Sequence, residues 1–178
     1  MGFFYTQRMN SYVAGLRGQS QITVEMVCLG NICRSPLAAA ILANKGGDRF
    51  IVSSSGTSGW HDGEGAHILS ERAWREAGYS YEHISRKFRT SFYGEADLIL
   101  AMDLTNRANL LNAAPSNEAR SKVMMLRSFD PELSHIDPTS REAELLQVPD
   151  PWGEEFESFV EVRLMLERAV DGLIATFG

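Results

Sequence analysis

From residue 22 onward, short β-branched runs alternate with stretches of helical spacing. Residues 22–27 are apolar-rich and predict a strand, and residues 36–43 predict a helix. Pro36 suits that helix's first turn, where its missing N–H has no partner to lose. Gly46 and Gly47 supply the stop. Residues 50–54 predict a second strand. Residues 64–77 predict a helix with Ala66, Leu69, Ala73, Trp74 and Ala77 on one face and Gly78 ending it. Residues 96–102 read as a third, largely buried strand, after which Asp103 can cap a short helix over 104–111. Residues 122–126 predict a fourth strand, with Met124 and Met125 as plain core. Finally, Phe159, Val162, Leu166, Val170, Leu173 and Phe177 recur at spacings of three and four, the pattern of an amphipathic helix over 156–176. Strands alternating with helices predict one α/β domain over residues 22–178, a parallel sheet with helices on both faces.

Two stretches fall outside this rhythm. Residues 1–21 contain Arg8 and Arg17, no acidic residue and no clear period. They lack the continuous apolar core of a secretory signal. Met1-Gly2 with Thr6 fits a loose myristoylation pattern. The expectation is a disordered leader, or a true start at Met9. Residues 127–148 are polar and proline-punctuated, a connection long enough to suggest a functional lid or else a disordered stretch. They lead into Val148-Pro149-Asp150-Pro151-Trp152-Gly153. A second loop, 55–63, is built of small residues around Trp60, at the strand end where α/β ligand sites form.

Composition narrows the classes. The 178 residues suffice for one well-buried core. A formal charge of −6, with no basic run, argues against a nucleic-acid surface. The longest apolar stretches are strand-sized, which argues against a membrane span. The 2 cysteines both lie in one turn, so they form no secreted disulfide framework and point to a reducing, cytoplasmic setting.

That turn, residues 27–36, reads Val-Cys-Leu-Gly-Asn-Ile-Cys-Arg-Ser-Pro. It joins the first strand to the first helix, and Gly30 and Asn31 can take left-handed backbone angles. Its N–H groups and the helix N-terminus together make an anion cradle. Cys28 ends the strand, and Arg34 stands where the helix begins. A cysteine at a helix N-terminus beside an arginine is poised as a thiolate nucleophile. Arg34 offers a planar fork for two phosphate oxygens, and Ser35 a hydroxyl for the sulfur. Asp150, stiffened by two prolines at the end of the long connection, is the candidate general acid for the leaving oxygen. Tight curling should also bring Cys33 close enough to Cys28 to trap an oxidised thiol as a disulfide, making the site redox-sensitive.

The turn resembles the signature of the low-molecular-weight protein tyrosine phosphatases, and further matches run from about residue 22 to the C-terminus. The resemblance implies a three-layer α/β/α fold with a four-stranded, doubly wound parallel sheet. It implies hydrolysis of phosphotyrosine through a phosphocysteine intermediate on Cys28, with phosphate held by Leu29, Gly30, Asn31, Ile32, Cys33, Arg34 and Ser35. No metal or cofactor is called for, because Arg34 and the loop amides supply the positive field. Trp60 and Trp152 resemble the family's aromatic pocket walls, and Asn31, Ser54 and His83 its loop-supporting network. Asp103 matches a family aspartate, with no role assigned. The substrate implied is a tyrosine-phosphorylated protein, with a tyrosine kinase among the candidate partners. Two positions depart from the pattern: Ser53 replaces an acidic residue, and Gly153 replaces a second aromatic, often tyrosine, that can be phosphorylated.

Three rivals share part of this chemistry. Arsenate reductase needs further cysteines downstream to relay electrons, and none follows Cys33. Protein arginine phosphatase tends to carry threonine at the position of Ile32. The bulkier isoleucine favours tyrosine, while Gly153 after Trp152 keeps arginine open. A non-catalytic phosphopeptide-binding module would lack the thiol or the acid, and this chain has both.

Overall fold

A computed structural model describes residues 11–178 of the chain. The strands β1 (Ile22–Cys28), β2 (Phe50–Gly56), β3 (Leu98–Ala101) and β4 (Val123–Met125) form one sheet in the order β2-β1-β3-β4, all parallel. β1 lies inside the sheet and is almost entirely buried, which is why its residues read as a near-continuous apolar run. Alternate side chains serve two cores. Ile22, Val24, Met26 and Cys28 join Leu98 and Leu100 on one face, while Val27 joins Ile99, Ala101, Val123 and Met125 on the other.

Helices α2 (Arg34–Lys45), α3 (Ile68–Glu76) and α7 (Phe156–Phe177) cover the first face, and α5 (Leu104–Ala113) and α6 (Asn117–Ser121) the second. A short α4 (Phe92–Glu95) precedes β3. The predicted stripe of α7 is buried throughout, as is Trp74 of α3. The three-layer, four-stranded parallel architecture is therefore the one expected. The order of strand connection reverses between β1 and β3, whose carboxyl ends lead to helices on opposite faces, and such a switch point opens a crevice for a ligand.

Element limits differ where tertiary bonds intervene. The helix predicted from residue 64 begins at Ile68, because the preceding backbone is claimed elsewhere. The Glu64 carbonyl accepts from Ser85 N at 2.8 Å, and His67 N donates to the Ile32 carbonyl at 2.8 Å. β2 runs two residues beyond its predicted end at Ser54, since Gly56 exchanges backbone bonds with Arg86 and Phe88. The long connection is not an open loop. It contains the 3₁₀ turns Leu126–Phe129 and Arg141–Leu146, and Arg127 donates to the carbonyls of Leu145 and Gln147 at 2.9 and 2.8 Å.

The disordered leader expected over residues 1–21 does not hold for its second half. Residues 11–16 are helical (α1), with Val13 and Leu16 buried in the same core as Ile22 and Phe177. Tyr12 donates to the Asp97 carbonyl at 2.8 Å, and Arg17 Nε to the Thr176 carbonyl at 3.1 Å. Arg49 Nη2 bonds both the Arg17 and Phe177 carbonyls, at 2.9 and 3.2 Å. A one-turn apolar face is too short to register as a period. The Met9 start and the Met1-Gly2 pattern lie outside the described residues. Among the described residues no helix is long and apolar enough to cross a membrane.

At Gly172, α7 meets the turn after β4 backbone to backbone: an added Cβ would lie 1.8 Å from the Phe129 carbonyl oxygen. Alanine favours helices intrinsically, yet Gly172→Ala is expected to lower stability by about 1–3 kcal/mol through overpacking. Urea denaturation checks this, and an unchanged midpoint would show that the turn moves aside freely.

Candidate active site

The turn between β1 and α2 closes around one sulfur. Asn31 takes φ 57°, the only non-glycine residue with positive φ among those described. Asparagine tolerates this conformation, and it lets the Asn31 N–H donate to Cys28 Sγ at 3.2 Å. Gly30 does not use its left-handed freedom. It leaves room for His61, since an added Cβ would lie 3.0 Å from that ring, which would have to give by a few tenths of an ångström.

Hydrogen-bond direction can be followed from the periphery inward. Arg86 N donates to Asn31 Oδ1 at 2.9 Å, which fixes the amide so that Nδ2 faces Ser35 Oγ and Ser54 Oγ, each at 2.9 Å. Ser35 Oγ thus accepts from Asn31, and its own proton can turn to Cys28 Sγ at 3.0 Å or to the more distant Ser55 carbonyl at 3.4 Å. The Asn31 carbonyl accepts from Ser85 Oγ and from His83 Nε2, each at 2.7 Å. Burial lowers the pKa of His83, outweighing the bond to Asn31 that favours the charged form, and Arg86 lowers it further. A neutral ring carrying its proton on Nε2 satisfies this bond. Asn31, Ser54 and His83 are thus brought together in one hydrogen-bonded network, with Ser85 and Arg86 as members the sequence did not single out.

Arg34 is buried at the first position of α2. Its Nη1 donates to Asp103 Oδ2 at 2.7 Å and to the Val148 carbonyl at 3.2 Å, and its Nη2 to Asp150 Oδ2 at 3.0 Å. Burial pulls the guanidinium pKa down, but Cys28, Asp150 and Asp103 together carry it above the ordinary arginine value. Arg34 Nε is buried with no hydrogen-bond partner among the described residues. A buried donor of this kind needs an acceptor, and a bound oxyanion would provide one. Asp103 divides its carboxylate, with Oδ1 capping α5 through Asn106 N at 2.6 Å and Oδ2 steering Arg34.

Asp150 reaches the site because Val148 N is tied to the Met102 carbonyl at 2.8 Å, at the end of β3. Its Oδ1 accepts from Trp152 N at 3.2 Å. The cavity, about 280 Å³, is lined by Cys28, Leu29, Gly30, Ile32, Cys33 and Arg34 at the base and by Trp60, His61, Asp150 and Trp152 above. Both indoles stand well into solvent, 75% and 65% exposed, so they wall the mouth rather than the floor. Cys33 is buried beside Cys28 as a free thiol. Burial pushes its pKa up to about 12, reinforced by Asp150 and Cys28 and opposed by Arg34.

A family model for low molecular weight phosphotyrosine protein phosphatase matches residues 23–178. The chain belongs to this family. A low molecular weight protein-tyrosine-phosphatase of Streptomyces coelicolor is 37% identical over 154 residues, covering 84% of this chain and 89% of the relative. Low molecular weight protein-tyrosine phosphatase A of Mycobacterium tuberculosis is 37% identical over 155 residues, 84% of this chain and 88% of its own. Among solved structures, a protein tyrosine phosphatase from Entamoeba histolytica with Hepes in its active site superposes with a TM-score of 0.74 at 31% identity, covering 87% of this chain and 96% of that one. YwlE arginine phosphatase from Geobacillus stearothermophilus superposes with a TM-score of 0.73 at 28% identity, covering 86% and 91%.

Three further contributors to this phosphatase cradle escaped the sequence. His61 packs its ring over Gly30 and shares its Nδ1 with Glu64 Oε2 at 2.9 Å. Gly56 supports the loop from below, where an added Cβ would meet the Leu29 carbonyl at 2.6 Å. The Val148 carbonyl orients Arg34. The small residues of 55–63 were a signal for Gly56, but nothing local marked the other two.

Proposed function

We propose that the protein hydrolyses phosphotyrosine in protein substrates by two displacements at phosphorus. The observation that carries this reading is the convergence of Asn31 N and Ser35 Oγ on Cys28 Sγ beside a buried Arg34. Cys28 Sγ attacks phosphorus, an S–P bond forms, and the P–O bond to the tyrosine breaks. Asp150 delivers its proton to the departing phenoxide oxygen. Water then attacks the phosphocysteine, Asp150 takes the water's proton, and inorganic phosphate leaves as the thiolate is restored. Arg34 and the loop amides stabilise the equatorial oxygens throughout, with Arg34 Nε available to them. Asp150 is paired with Arg34 Nη2. A phosphate dianion competes for that guanidinium and frees the carboxyl group for the leaving oxygen. Trp60 and Trp152 flank the aryl group. The compartment that suits two free thiols at one site is a reducing cytoplasm, and a tyrosine kinase is a candidate source of substrate.

Turnover of phosphotyrosine and phosphoarginine peptides side by side, with arsenate reduction as a third arm, tests this reading. Phosphotyrosine is expected to be preferred, and thiol-dependent turnover of neither peptide would overturn it. Arginine phosphatase stays the second reading, because the YwlE likeness and Gly153 favour it. Ile32 lines the cavity, so Ile32→Thr is expected to raise phosphoarginine turnover relative to phosphotyrosine. An unchanged ratio would remove Ile32 as the selector.

Asp150→Asn is expected to slow alkyl or unactivated aryl phosphates by about 10²–10³-fold, and para-nitrophenyl phosphate far less, since its phenoxide leaves without a proton. Equal losses on both would show that Asp150 is not the acid.

A further inference from the structure

Beneath the cradle lies a charged group that the chemistry above does not use. Glu25, in the middle of β1, is 2% exposed and faces the core shared by Val27 and Ile99 rather than solvent. Its Oε2 accepts from Arg86 Nη2 at 2.8 Å and from Ser53 Oγ, which stands across from it in the β1–β2 register. Its Oε1 is buried without a hydrogen-bond partner among the described residues. A half-satisfied buried carboxylate is a poor stabiliser, and replacing such ion pairs with apolar side chains is often neutral or stabilising. Fold stability alone does not account for a glutamate on this strand.

What the pair does hold is Arg86. The guanidinium lies 4.3 Å from the Phe92 ring centroid, and its Nε donates to the Ser54 carbonyl at 3.1 Å. These side-chain anchors set the backbone of residue 86, whose N–H fixes the Asn31 amide at 2.9 Å. Asn31 in turn polarises Ser35 toward the sulfur and donates its own N–H to it.

We propose that Glu25 is a positioning residue for the thiol site, acting through Arg86 and Asn31 to hold the cradle in its closed geometry. The inference rests on the reading of Cys28 as the nucleophile. Glu25 touches no substrate; its effect is on how accurately two donors meet the sulfur. Displacements of this kind far from the chemistry lower turnover without abolishing folding.

The register supplies a direct test. Glu25→Leu removes the carboxylate, and Glu25→Leu with Ser53→Asp returns one from the facing position on β2. With para-nitrophenyl phosphate, Glu25→Leu is expected to lower kcat between about ten- and a hundredfold. KM should move little, and any fall in melting temperature should be small, because Arg86 is 41% exposed, can turn to water and keeps its bond to the Ser54 carbonyl. The alkylation rate of Cys28 by iodoacetate should fall in parallel, and the double variant should recover most of both losses. Unchanged kcat in Glu25→Leu would overturn the proposal. So would a loss that tracks a fall in melting temperature, or one that Ser53→Asp leaves untouched. Should wild type itself show no turnover sensitive to Cys28→Ser, the nucleophile reading fails instead, and the two failures are told apart.

Discussion

Cys28→Ser is expected to lose at least ~10⁴-fold in kcat on any phosphate ester while still binding inorganic phosphate. Serine keeps the shape of the side chain, and it can sit between Ser35 Oγ and Asn31 N where the sulfur now lies. What it lacks is the acidity to exist as an anion there. A hydroxyl is far less acidic than a thiol, so the same cradle cannot generate an alkoxide at neutral pH. His83, the imidazole in the loop network, faces the Asn31 carbonyl. Phosphate affinity, read by calorimetry, should stay within a few-fold of wild type, because Arg34 and the loop amides are untouched. Substantial turnover by the serine variant would show that the phosphoryl group never passes through Cys28.

The contrast between what could and could not be read from the chain follows from where each interaction is encoded. The sheet and its covering helices were legible because each apolar run is local, and its period survives in any context. The cradle was legible for the same reason, since Cys28, Asn31, Arg34 and Ser35 lie within one turn of chain. Asp150 was reachable only because two prolines and an adjacent tryptophan mark it. Residues 64–67 were misread as helix because their backbone groups bond to Ile32 and Ser85, partners that no local pattern announces. The packing of residues 11–16 was missed because a single turn carries too few apolar positions to form a stripe. His61, Gly56 and the Glu25–Arg86 pair act from neighbouring strands and loops, so their roles exist only once the sheet has formed.

Arg34→Lys is expected to lower kcat by about 10²–10³-fold, with the fold retained. The guanidinium is engaged on two sides at once, by Asp103 and the Val148 carbonyl at Nη1 and by Asp150 at Nη2, while Nε is left without a protein partner. On the proposed mechanism one planar group spans three tasks: it is anchored to Asp103 and the 148–150 segment, it pairs with Asp150 until phosphate displaces it, and it presents a donor to the phosphate. A lysine ammonium is a point charge on a flexible stem. It can satisfy Asp103 or follow the phosphate, but it cannot do both in one geometry, so developing charge on the equatorial oxygens meets a weaker and less directed field. Stability should change little, since Asp103 keeps its bond to Asn106 N and α5 keeps its cap. The separating measurement is kcat against KM on para-nitrophenyl phosphate. A fall in kcat exceeding any rise in KM identifies a clamp on the transition state. Near-normal kcat with a raised KM would make Arg34 a ground-state anchor only, and the rate acceleration would then have to come from the loop amides.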